Sequence, residues 1–482
     1  MTAPHPSDAL VFFGATGDLA YKQIFPALQA LVKSGALDAP IVGVARSSWN
    51  LEKLRARARD SVTQHGGLDR GAFAKMSSLL RYVDGDYSDP ATFDRLRGEL
   101  GGARRPLHYL AIPPSAFAEV IKGLGRSGCA AQARVAVEKP FGHDLDSARE
   151  LNRTLHSQFA ESSIFRIDHY LGKEPVQNLL YFRFANLSPE TILDRDHVDH
   201  VQITMAERFG VQGRGRFYDE TGTIRDVIQN HLLQIVSILA MDPPVGEDVE
   251  ALRDEKARIL KAIAPLDPAH VVRGQFRGYR EEPGVAPGST VETFAAVALR
   301  VDSWRWAGVP FLVRAGKCLP VNAIEVRVHL RQPPRDIFHE GGPATQYFRV
   351  RIGPDITALA LGMRVKQPGA TMTGREIELL ASESLAHDML PYERLLGDAL
   401  RGDASLFARE DAIEEQWRIV NPVLDLRTPP QPYAPGSWGP AEADRLVGGI
   451  PGGWRQPIEP GETRPSETRP SETRPGEKRR EP

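Results

Sequence analysis

The sequence predicts an α/β Rossmann-like dinucleotide-binding domain joined to an α+β domain built on a large antiparallel sheet. Three observations carry that expectation. Short apolar, strand-like runs alternate with helical spacing through about residue 175, as in β-α-β units around a parallel sheet. A glycine turn, GATGDLA (14–20), follows directly on the first of those runs. From about Val198 the grain changes to alternation with period two, the mark of strands with one wet face.

Ala9–Phe13 is the first short apolar strand, and after the turn Ile24, Leu28, Leu31 and Val32 recur at helical spacing. Residues 40–45 read as a second strand and 107–111 as another of the set, followed by Arg134–Glu138 and Ile164–Ile167. In the second half, 200–205 alternates, as do 293–301, 325–330 and Tyr347–Ile352. Between them, 223–241 reads as one long helix with an apolar face through Ile224, Val227, Ile228, Ile235 and Ile238. The predicted division is 1–175 and 176–456, since 482 residues are too many for one core. Residues 461–476 repeat Glu-Thr-Arg-Pro at a period of five without apolar residues, so 457–482 is expected to be a disordered tail.

Composition narrows the function. Hydrophobic residues make up 41% and charged residues 25%, ordinary for a globular protein. Lys+Arg 60 against Asp+Glu 62 gives a net charge of −2, so nucleic acid and anionic membranes are not expected partners. That balance is compatible with a local basic pocket for a phosphorylated small molecule. The two cysteines, Cys129 and Cys318, argue against a disulfide framework and fit a reducing cytoplasm. The apolar run 9–13 follows Asp8 and enters a glycine turn, unlike a signal peptide. No run approaches the ~18 apolar residues needed to cross a bilayer.

Gly14, Ala15, Thr16, Gly17, Asp18 and Leu19 form the turn, where glycines let the backbone approach a pyrophosphate at a helix N-terminus. As a bare pattern the turn is weak, and its place after a first strand gives it value; no Gly-Lys-Ser/Thr follows, which excludes a P-loop. The second strand ends at Arg46, where NAD enzymes commonly carry an acid and an arginine accommodates the extra phosphate of NADP. A solvated arginine is ordinary at a strand end, and the glycine turn tips the reading toward NADP.

Lys139, in Glu138-Lys139-Pro140-Phe141-Gly142, caps a strand at the end where open α/β sheets bind ligands. It suits a substrate hydroxyl or the nicotinamide end of a cofactor, and Lys-Pro is a bond where the cis form costs only ~0.5–1 kcal/mol. RIDHYLGKE (166–174) packs an acid, an imidazole, a phenol and an ammonium together. If the chain is helical from Tyr170, His169 and Lys173 share one face near a helix N-terminus, which suits a phosphate dianion. In IRDVIQNHLLQ (224–234), His231 taken alone is more simply a core histidine, and Asp226 a helix-surface acid. His197 and His200 tempt a metal reading, but a lone pair at a strand start is usually structural, so no metal is expected.

These strings, in this order, with FLVRAGK (311–317) and YERLL (392–396), resemble the glucose-6-phosphate dehydrogenase family over about residues 8–440. RIDHYLGKE is the most specific of them. The resemblance implies oxidation of glucose 6-phosphate at C1 to 6-phosphogluconolactone with NADP, the first step of the oxidative pentose phosphate pathway. It implies His231 as general base, supported by Asp168. His169, Tyr170 and Lys173 match phosphate-binding positions, and Glu207 and Asp226 match carboxylates on sugar hydroxyls. Lys139 and Lys317 match lysines at the substrate, Lys139 also reaching the cofactor. Gly14 to Leu19 and Arg46 match the NADP site, with Asp86 and Tyr87 on the adenosine side. Relatives are usually homodimers or homotetramers.

The chain also departs from the family pattern. Residues 318–322 offer no second basic residue after Lys317, and Tyr21 and Gln23 replace basic residues common after the glycine turn. These departures predict milder phosphate affinity and cofactor preference than usual and argue against a second cation on the substrate and an extra structural NADP site. Oxidoreductases of unphosphorylated polyols share the fold and the Glu-Lys-Pro turn, but His169 with Lys173 argues against them. A short-chain dehydrogenase would need Lys at the position of Glu174, and a non-catalytic NADPH sensor would be expected to have lost His231 or Asp168.

Overall fold

Strands that read as unbroken apolar runs become the inner strands of a sheet covered on both faces. The structure, a computed structural model, describes residues 5–168, 170–339, 346–353, 356–384 and 389–457. The expected tail, apart from Pro457, lies outside the described residues. Strands β1 (Ala9–Phe13), β2 (Ile41–Ala45), β3 (Leu80–Asp84), β4 (Pro106–Leu110), β5 (Arg134–Glu138) and β6 (Ile164–Ile167) form one sheet in the order β3-β2-β1-β4-β5-β6. Every neighbouring pair is parallel. The order reverses between β1 and β4, which opens a crevice at the carboxyl ends of those strands.

β3 escaped sequence reading because it is no continuous apolar run: Leu80 and Val83 are buried, while Arg81, Tyr82 and Asp84 are less so. One face of this sheet packs on the helices Phe25–Lys33 and Leu51–His65 and on a late helix, Pro391–Arg401, through Leu395, Leu396 and Leu400.

The second sheet has nine strands: β7 (Val198–Ala206), β8 (Val271–Phe276), β9 (Phe294–Arg300), β10 (Pro310–Gly316), β11 (Ala323–Leu330), β12 (Tyr347–Ile352), β13 (Ile356–Lys366), β14 (Gly374–Ser384) and β15 (Gln431–Tyr433). Their order is β14-β13-β12-β11-β7-β10-β9-β8-β15. Six of the pairings are antiparallel, as expected, but β7 with β10 and β8 with β15 are parallel, so the sheet is mixed. The parallel pair matters for the site, because it brings the carboxyl ends of β7 and β10 side by side. The single helix expected over 223–241 is two pieces, a π-helix Ile224–Leu232 running into an α-helix Leu233–Ala240.

Candidate active site

At the end of β1, Gly14 adopts φ +79°, and a Cβ there would lie 2.2 Å from the carbonyl oxygen of Ala111 beyond β4. Only glycine fits such a position. Gly17 N–H turns back to Gly14 O at 2.9 Å, and the helix starts at Asp18. Gly43 on β2 makes room for the turn, since a Cβ there would meet Ala15 Cβ at 2.9 Å. Tyr87 sits against the turn, its hydroxyl accepting from Gly14 N–H at 3.1 Å. Arg46 lies just past β2 and donates to Asp86 Oδ2 at 3.3 Å. Gly14, Ala15, Thr16, Gly17, Asp18, Leu19, Arg46, Asp86 and Tyr87 thus gather at the carboxyl end of the first sheet. A tight glycine turn, a helix N-terminus and an exposed guanidinium form a donor set that fits a dinucleotide carrying a 2′-phosphate.

Lys139 directly follows β5 and precedes a cis bond to Pro140. Its ammonium reaches into a cluster supplied by the rest of the chain: His231 Nε2 at 2.9 Å and Asp226 Oδ1 at 3.4 Å. His231 Nδ1 faces Asp168 Oδ1 at 2.8 Å, at the end of β6. These partners fix the tautomer: Nδ1–H donates to the carboxylate, and Nε2 accepts from the ammonium. Burial pulls the His231 pKa down; Asp168 opposes this and Lys139 adds to it, leaving the imidazole below its ordinary value. Burial pushes Asp226 up, but Lys139, His231 and Lys317 outweigh it and hold the carboxyl below its usual range.

The π-helix explains how Asp226 and His231 meet one lysine. In an α-helix of 3.6 residues per turn, side chains five apart point about 140° away from each other. The i→i+5 ladder of a π-helix stacks them on one side; here Leu233 N–H donates to Ile228 O. The plainer readings of these two residues, a core histidine and a surface acid, therefore give way to a shared site.

Tyr170 stacks on His231, ring centroids 3.8 Å apart and planes at 23°. The Lys173 ammonium lies 3.9 Å from the centre of the Tyr170 ring, and burial pulls its pKa down against Asp168 and Glu207. Tyr170 to Gly172 form a turn rather than the first residues of a helix. The helix is Glu174–Phe184 with Lys173 as its N-cap, because Pro175 suits a first turn. His169 lies outside the described residues. Glu207 and Lys317 follow β7 and β10, and the parallel pairing sets their side chains together, Nζ to Oε2 at 2.5 Å. Arg214 and Lys317 both act on Asp226, which ties this pair to the same cluster.

Three residues near the cluster were missed. Glu138 is buried beside Lys139; Tyr109 OH donates to it at 2.6 Å, Tyr392 also bonds it, and burial pushes its pKa up to about 7. Tyr392 was legible within YERLL but carried no role there. Lys256, on the helix Val249–Ala262, is buried, and burial pushes its pKa down to about 8 with Asp168 opposing. Its setting in the sequence, a run of charged residues, looks like a solvated helix face and gives no signal. His197 and His200 pair separately with Asp194 and Asp199. Elsewhere, His156, Glu161 and Glu410 each bring a donor atom within 4.8 Å, but Arg166 and Arg253 already face Glu161.

Known proteins resemble the chain over nearly its whole length. Residues 11–178 match the family model "Glucose-6-phosphate dehydrogenase, NAD binding domain" and residues 180–455 its C-terminal domain. The chain is 46% identical over 462 residues to glucose-6-phosphate 1-dehydrogenase 1 of Mycobacterium tuberculosis, covering 95% of this chain and 98% of that protein. It is 39% identical to a cytoplasmic isoform of glucose-6-phosphate 1-dehydrogenase from Solanum tuberosum, covering 91% of each. The crystal structure of the Mycobacterium avium glucose-6-phosphate 1-dehydrogenase superposes with a TM-score of 0.88 at 46% identity, over 95% of this chain and 100% of that one. A glucose-6-phosphate dehydrogenase in complex with its substrate glucose 6-phosphate superposes with a TM-score of 0.86 at 34% identity, again over 95% and 100%. On the extent of these matches, the chain belongs to the glucose-6-phosphate dehydrogenase family.

Proposed function

We propose that this protein oxidises glucose 6-phosphate at C1 to 6-phosphogluconolactone with NADP, with His231 as the general base. The observation that carries this reading is the placement of His231, whose Nε2 meets Lys139 at 2.9 Å and whose Nδ1 is backed by Asp168. A sugar hydroxyl taking the place of the ammonium at Nε2 would give its proton to that nitrogen. Asp168 then stabilises the imidazolium, as an acid does in any such dyad. Glu207, Asp226 and Lys317 bind the other hydroxyls, and Lys139 holds both substrate and cofactor. His169, Tyr170 and Lys173 receive the phosphate; the Lys173 ammonium over the Tyr170 ring supports that assignment. Gly14 to Leu19, Arg46, Asp86 and Tyr87 hold NADP, which when bound accepts the hydride leaving C1.

In this reading the chain divides at about residue 175, and relatives named as cytoplasmic isoforms support a cytoplasmic enzyme. No helix among the described residues is long and apolar enough to cross a membrane. A homodimer or homotetramer is the expected assembly.

Replacement of His231 by Asn tests the base. A general base contributes about 10²- to 10⁴-fold, so His231→Asn should lower kcat by that factor in a folded protein. Turnover within a few-fold of the parent removes His231 from the mechanism.

A further inference from the structure

The ribose end of the cofactor site holds a carboxylate as well as a guanidinium. Asp86 Oδ2 lies 3.3 Å from Arg46 Nη1, and the two side chains are 47% and 72% exposed. Among the described residues this is the only ion pair Arg46 makes. The two partners are not equally free to move. Asp86 Oδ1 accepts from Ser88 N–H at 2.9 Å and from Ser88 Oγ–H at 2.8 Å. The Asp86 carbonyl accepts from Thr92 Oγ1 at 2.8 Å, and Gly85 N–H donates to Ala45 O at 3.0 Å. Gly85 itself is so close to Thr92 that a Cβ would lie 2.2 Å from its hydroxyl. The carboxylate is therefore anchored on a tied-down loop, whereas the guanidinium swings on a long exposed side chain.

An arriving 2′-phosphate must share Arg46 with this anchored anion and accept it as a neighbour of like charge. The 2′-hydroxyl of NAD meets no such opposition and finds in the carboxylate an acceptor of the kind that NAD enzymes offer it from the end of the second strand. We infer that Asp86 is a specificity-determining residue, which opposes the 2′-phosphate, blunts the preference conferred by Arg46 and lets the protein take NAD alongside NADP. The inference rests on the reading above that Arg46 faces the 2′ position.

Isothermal titration of NADP⁺ and NAD⁺ into the full-length protein, without sugar, tests it. Asp86→Asn keeps an oxygen for Ser88 and removes the charge. It should tighten NADP⁺ about three- to tenfold and leave NAD⁺ unchanged or weaker, a modest effect because exposed charge pairs are weak. The gain should shrink in about 0.5 M salt, where the charges are screened. Ser88→Ala, which loosens the carboxylate, should shift the ratio the same way by less. A ratio of the two dissociation constants within twofold of the parent in Asp86→Asn overturns the inference. Arg46→Ala separates the two levels: selective loss of NADP⁺ keeps the Arg46 assignment whatever Asp86 does, and equal loss of both cofactors overturns both.

Discussion

His231 is held from both sides by charge, and its neighbours set the pH range in which it can accept a proton. Burial keeps its pKa below 6.5, the ordinary imidazole value, so the ring is neutral and basic through neutral pH. On the acid side kcat/KM should fall as the ring takes a proton, with a midpoint below 6.5. Asp168 pulls that pKa up. Removing its charge in Asp168→Asn should therefore move the acid limb to still lower pH, while the plateau drops about 10²- to 10⁴-fold for want of support for the imidazolium. A pH–rate profile checks both signs, and a shift toward higher pH would contradict the dyad. Sequence strings located Asp168, Lys139 and His231, because each stands in an ordered motif. Lys256 was illegible, since helical charge runs look alike whether solvated or buried.

Among elements, the π-helix Ile224–Leu232 decides whether Asp226 and His231 share a site. It is entered through Gly222, at φ +68°, where an added Cβ would lie 2.6 Å from Glu292 Oε1. The same Glu292 oxygen accepts from Ile224 N–H at 3.0 Å and so holds the first turn. Gly222→Ala should thus cost about 1–3 kcal/mol, combining backbone strain with displacement of a buried carboxylate, and should lower kcat by tilting the helix. Thermal melts and steady-state kinetics measure the two effects; an unchanged melting temperature would show that the kink is not needed. Hydrophobic spacing located this helix, but Ile224, Val227, Ile228 and Leu232 fall on one side in either winding, so spacing did not distinguish π from α. The sequence left open whether the chain is helical from Tyr170, because the apolar and charged residues of this stretch fit a turn or a helix; it is a turn over Tyr170 to Gly172.

At the scale of the molecule, late segments bind the two sheets together. Tyr392 reaches Glu138 at the end of β5, and Trp417 Nε1 donates to Phe141 O at 2.8 Å. Farther on, Arg314 is buried between Trp438 and Trp454, 4.9 and 4.6 Å from their ring centres, and donates to Arg455 O at 3.0 Å. Trp454 Nε1 donates to Ala443 O at 3.0 Å. Truncation after Gly453 should then strip partners from a buried guanidinium and lower the melting temperature by several degrees. Truncation after Pro457 removes a segment whose composition offers no apolar anchor and should leave it unchanged. The parallel sheet was legible because its strands are continuous apolar runs. The parallel pairing of β7 with β10 was not, because a period-two pattern says nothing of strand direction; nor do these two strands have the expected wet face, being buried almost throughout.

The comparison of glucose 6-phosphate with glucose tests the central claim most directly. A phosphate held by charge-assisted hydrogen bonds, each worth about 1.5–3 kcal/mol before ordering costs, also orients C1 toward His231. Glucose should therefore be used at least ~10³-fold less efficiently by kcat/KM, equivalent to about 4 kcal/mol of transition-state stabilisation. Lys173→Ala should narrow that ratio by harming only the phosphorylated sugar. Comparable kcat/KM for the two sugars in the parent protein would contradict the phosphate site and the substrate proposed with it.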